Sequence, residues 1–182
     1  MSLDRSRPAP AFADHREAIR AALHEVAERS FFAFWAPSDA GQFAELAAHP
    51  PVFDPGERPP AFPWFVTRVA FAGAFAGYVE LAVGEPLAHQ LLDAFVGLEP
   101  DAPVTEPMIQ DVCGEFCNQV CGAWLSRACR DWRFDLVPPV VTRHAPGPLP
   151  PLDAPGPGEG ELFLTLNDLP IRLRLHFEPG LS

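Results

Sequence analysis

ELFLTLNDLPIRLRLHF, residues 161–177, reads as two strands around a tight turn. Glu161–Leu166 forms one arm, Asn167-Asp168 the turn, and Ile171–Phe177 the other arm. In the second arm Ile171, Leu173, Leu175 and Phe177 alternate with Arg172, Arg174 and His176. A period of two with one apolar side predicts a half-buried antiparallel strand, with His176 at the surface. A second hairpin precedes it, with arms Phe65–Phe71 and Tyr78–Val83 and a turn in Gly73–Gly77. Another strand is predicted at Phe134–Thr142. Its Pro138-Pro139 pair suits an edge, a bulge or a strand entry, since proline cannot donate to a ladder.

Helices fill the intervals. Asp14–Ala36 carries Ile19, Leu23, Val26, Ser30 and Phe34 at helical spacing, with Asp14 as N-cap and Glu17 three residues on. Pro86 starts a helix with apolar Leu87, Ala88, Leu91, Leu92, Phe95 and Val96, and Gly97 caps it. Thr105, Glu106 and Pro107 open a long helix over Met108–Arg130. The order helix, two strands, two helices, three strands predicts an α+β fold, a layered domain whose mostly antiparallel sheet packs on long helices. One domain over 14–178 is expected, after a flexible segment 1–13. Pro-rich connections interrupt it at 37–63, where Ala44–Ala48 adds a helical turn, and at 144–160.

Composition excludes several functions. The 182 residues carry a net charge of −11, which disfavours nucleic acid or an anionic membrane as partner. All 13 basic residues are Arg. Without lysine the chain cannot be a Walker-A NTPase, a protein kinase or a Schiff-base enzyme. No h-region or membrane-length apolar run occurs, so a cytoplasmic protein is expected, with its four Cys reduced. Cys113, Cys117 and Cys121 recur every fourth residue, but one helix cannot wrap three thiolates tetrahedrally around zinc. They read as core packing and no metal is assigned to them. Trp35, Trp64, Trp124 and Trp132 read as core or interface anchors, and the six His show no ligand spacing.

On the long helix Asp111, Glu115, Asn118 and Gly122 fall within about 60° of one another. Val112, Phe116, Val120, Ala123 and Trp124 lie opposite, with Cys113, Cys117 and Cys121 at the border. A solvated face is the ordinary explanation of such a stripe. Yet asparagine is a poor helix-interior residue, and Gly122 costs roughly 1 kcal/mol against alanine. Gly122 therefore suggests that something approaches the backbone closely.

Asp111-x3-Glu115-x2-Asn118, followed some twenty residues later by Pro138-Pro139-Val140-Val141, resembles the signature of the CheC/CheX/FliY chemotaxis phosphatases. The string Glu115-Phe-Cys-Asn118-Gln-Val-Cys-Gly122 resembles the CheX-like helix, and Val69–Leu81 with the following helix resembles that family's first hairpin and helix. The resemblance spans residues 14–178. A single E-x2-N, with none around His24–Phe31, points to the CheX-like branch. Arg143 stands where the family often has glycine, and both Pro-rich connections look long for it.

The resemblance implies hydrolysis of the aspartyl phosphate of a CheY-type receiver, by a protein without a cofactor of its own. The receiver brings Mg²⁺ and a lysine. Asn118 would position the attacking water, because an amide both accepts and donates without ionising. Glu115 would pair with the receiver's lysine, helped by Asp111, and Gly122 would leave room for a partner loop. The resemblance also implies a homodimer. A non-catalytic receiver-binding or flagellar-switch-like module is the alternative.

Overall fold

The computed structural model describes residues 10–48, 61–97, 102–149 and 158–178. The elements run α1 (Phe12–Phe31), β1 (Trp35–Ser38), α2 (Ala40–Ala48), β2 (Trp64–Gly73), β3 (Ala76–Gly84), α3 (Glu85–Val96), α4 (Glu106–Ala128), β4 (Phe134–Leu136), β5 (Val140–His144), β6 (Gly160–Leu166) and β7 (Leu169–Phe177). All seven strands join one sheet, ordered β1-β6-β7-β3-β2, with β4 and β5 both pairing β2 at the far edge. Every pairing is antiparallel. The expected α+β layering is the observed one.

Both hairpins form as their sequences predict. Asn167 and Asp168 adopt φ of 48° and 63°, the left-handed pair of a tight two-residue turn whose twist matches the strands. The Asn167 side chain then reaches sideways. Its Oδ1 accepts from the Phe34 backbone N–H at 2.8 Å, and its Nδ2 donates to Gln90 Oε1 at 3.0 Å.

One sheet face carries the main core. Phe65, Val69, Phe71, Val79, Leu81, Val83, Leu164, Leu166, Ile171, Leu173, Leu175 and Phe177 meet the apolar faces of α1, α3 and α4 there. Burying each large side chain stabilises the fold by about 1.5–3 kcal/mol. The opposite face has a small core of Phe43, Phe62 and Trp64 under α2.

Several expectations are corrected. α1 starts at Phe12 with Ala11 at the cap position, and Asp14 lies within the first turn. The 37–63 connection holds strand structure and a full helix, β1 and α2, before the segment 49–60 that lies outside the described residues. The strand expected at Phe134–Thr142 is two strands, because Pro138 and Pro139 cannot donate to the β2 ladder. Their edge position is as expected.

The polar side of β7 is the larger surprise. Arg172 is 7% exposed and Arg174 6%, and His176 is half-buried, stacked on Tyr78 with centroids 4.7 Å apart. Register explains it. Arg68, Glu80, Arg174 and Glu161 are cross-strand partners in one row over β2, β3, β7 and β6. Alternating charge along this row lets the guanidiniums lie down on the sheet. Arg68 Nη2 donates to Glu80 Oε2 at 2.8 Å, and Arg174 Nε lies 3.4 Å from Glu161 Oε1.

Candidate active site

α4 presents the stripe. Pro107 sits in its first turn, where the missing N–H costs nothing, and Glu106 there complements the helix dipole. Its core face is fixed by Val112, Phe116, Cys117, Val120, Cys121 and Trp124, each at most 2% exposed. Rotation of α4 is thereby excluded, and the opposite face must point outward. Asp111 on that face is exposed, and Glu115, Asn118 and Gly122 are partly exposed.

The three recurring cysteines lie deeper than the border expected of them. Burial pushes the Cys113 and Cys121 thiols up to about 12, and burial, with Cys121 beside it, also raises Cys117 well above the ordinary thiol value. They are neutral packing groups. Trp64 and Trp124 are fully buried anchors, whereas Trp132 is 42% exposed.

Two walls flank the stripe. On one side the β5 edge crosses α4 at Gly114, where an added Cβ would lie 3.4 Å from Pro139 Cβ and 3.7 Å from Val141 Cγ2. Arg143 Nε lies 3.6 Å from Glu106 Oε2 and ties β5 to the first turn of α4. The residue that departs from the expected glycine therefore clamps the wall. On the other side Arg127 of α4 pairs with Glu25 of α1, which also accepts from Arg29 at 2.5 Å.

Within the stripe, Gln119 Nε2 donates to Glu115 Oε1 at 2.7 Å. The Asn118 amide makes no hydrogen bond to any described residue. A Cβ on Gly122 would meet nothing within 4 Å. Internal packing thus does not require that glycine; the space beside it is open. Past Gly122 the stripe runs into a groove of about 390 Å³ lined by Leu125, Ser126, Cys129, Arg130, Trp132 and Leu136. Sequence reading missed Gly114 and Gln119. The signal for Gly114 was its place one residue before Glu115 on a helix; that for Gln119 was its i,i+4 spacing from a carboxylate.

The arrangement presents a carboxylate with a fixed orientation, an unpaired amide one turn on, and open space. The family model for the chemotaxis phosphatase CheX matches residues 65–153, which hold the first hairpin, α3, the whole stripe and the Pro138-Pro139 wall. Over those residues the chain is similar to CheX. Solved structures agree in fold. A CheX from Vibrio vulnificus is 16% identical with TM-score 0.63, covering 93% of this chain and 99% of its own. A CheX from Desulfovibrio desulfuricans is 13% identical with TM-score 0.64, covering 91% and 99%. CheX in a CheX–CheY complex with beryllium fluoride and magnesium from Borrelia burgdorferi is 14% identical with TM-score 0.57, covering 90% and 97%. No curated protein matches the chain by sequence. None of its helices, among the described residues, is long and apolar enough to cross a membrane.

Proposed function

We propose that the chain is a phosphatase that hydrolyses the aspartyl phosphate of a CheY-type response regulator. The observation that carries this reading is the pairing of Glu115 with an unpaired Asn118 amide on the outward face of a helix locked into the core. The receiver supplies its own Mg²⁺ and lysine, and this chain supplies geometry. The Asn118 side-chain oxygen accepts a hydrogen bond from a water and aims its lone pair at phosphorus, while the amide nitrogen donates to a phosphoryl oxygen. The water oxygen bonds to phosphorus as the bond from phosphorus to the aspartyl oxygen breaks. Inorganic phosphate leaves, the aspartate returns as carboxylate, and one proton goes to solvent. Glu115 pairs with the receiver's lysine, which this lysine-free chain cannot provide in cis, and Asp111 extends the acidic end of the docking face.

Open space beside Gly122 supports the approach of a receiver loop. A homodimer is proposed as well, because among the described residues no strand pairs the outer edge of β1, and Phe32 and Phe34 beside it are 74% and 79% exposed. The test is release of inorganic phosphate from phosphorylated receivers with and without the protein. Acceleration on at least one receiver is expected. Binding without acceleration on any of them would leave a docking module in place of an enzyme.

A further inference from the structure

We infer that Gln119 is a positioning residue that holds Glu115 in the orientation that receives the partner's lysine; this rests on the phosphatase reading above. A carboxylate can only accept, so the 2.7 Å contact requires the Gln119 amide to donate through Nε2 to Glu115 Oε1. Glu115 Oε2 is left without a hydrogen bond to any described residue. One oxygen is thus anchored within the helix and the other is free for a cationic partner.

Glu115 needs such an anchor. Asp111 stands one turn before it, and like charges at i,i+4 repel, which drives a flexible glutamate away from the stripe. Gln119 counters that repulsion with a neutral donor. Neutrality matters for the chemistry. A lysine or arginine at position 119 would hold Glu115 equally well but would satisfy its charge in cis and compete with the receiver's lysine. The chain has an amide at the one place where a donor without charge does both jobs.

Fixing Glu115 beforehand removes side-chain entropy that docking would otherwise have to overcome. Its effect belongs in receiver binding and in KM more than in kcat. Gln119→Met keeps length and helix propensity and removes only the donor. It is expected to raise KM for phosphorylated receiver, and Kd for receiver loaded with beryllium fluoride, about 3- to 10-fold, with kcat within about 2-fold of wild type. In a Glu115→Ala background the same substitution is expected to change neither. Gln119→Lys is expected to weaken binding at least as much as Gln119→Met although its side chain can still donate. Equal KM and Kd for wild type and Gln119→Met would overturn the inference, as would the same loss in the Glu115→Ala background, which would mean a structural role. Tight binding by Gln119→Lys would overturn the argument from neutrality. Wild type that neither binds nor turns over any receiver would instead overturn the phosphatase reading, and this inference with it.

Discussion

Gly122 and Gly114 share one helix but stand in different surroundings. A Cβ on Gly114 would meet Pro139 at ordinary contact distance, so the wall beside β5 has room there for a methyl and little more. Gly122 faces empty space, and its helix-propensity cost of roughly 1 kcal/mol has no compensation inside the molecule. Gly122→Ala should therefore stabilise the protein by about 0.5–1 kcal/mol, a rise in Tm of roughly 1–4 °C. The same methyl should weaken receiver binding if a partner loop lies against that backbone. Calorimetry paired with a binding titration checks both halves; a Tm gain with unchanged affinity would show that no partner approaches there. The sequence made Gly122 visible through its propensity cost. It could not show that Gly114 is the glycine under the wall, because that depends on where β5 lands.

At the scale of elements, the stripe was legible because α4 is long and its two faces differ in chemistry. Both hairpins were legible from alternation and turn residues. β1 was not: Trp35–Ser38 is four residues long and includes Pro37, so it has no period to read and is ordered by pairing with β6. Burial of Arg172 and Arg174 was illegible for a related reason. Alternation tells which side of β7 a residue takes, but only register across four strands puts Arg174 between Glu80 and Glu161. That row makes a prediction. Arg68→Met removes the guanidinium hydrogen-bonded to the buried Glu80 carboxylate, 4% exposed, and should cost about 1–3 kcal/mol. Glu80→Met with Arg68→Met should cost less than the two single changes added together, since neither partner of the pair is then left behind. Urea unfolding of wild type, both single variants and the double variant decides; simple addition of the two single costs would show that the residues act independently.

For the molecule as a whole, the buried thiols set an alkaline limit on stability. Their folded pKa values lie above the ordinary 9.0, up to about 12 for Cys113 and Cys121. The unfolded chain therefore loses protons first as pH rises. The contribution to stability is full below about pH 9 and is lost between there and about pH 12. Cys113→Ala should flatten that decline in a pH series of unfolding midpoints, and an unchanged slope would contradict the assignment. Function is a property of two molecules. On the proposed function, the core holds α4 with its stripe turned outward toward a receiver, and the chemistry depends on one amide. The direct measurement is decay of receiver phosphate with wild type and with Asn118→Ala, alongside binding of beryllium fluoride-loaded receiver to each. The account predicts a loss of turnover of about 10²-fold or more with binding retained, because the amide acts mainly in the transition state. Equal decay rates with the two proteins would contradict it.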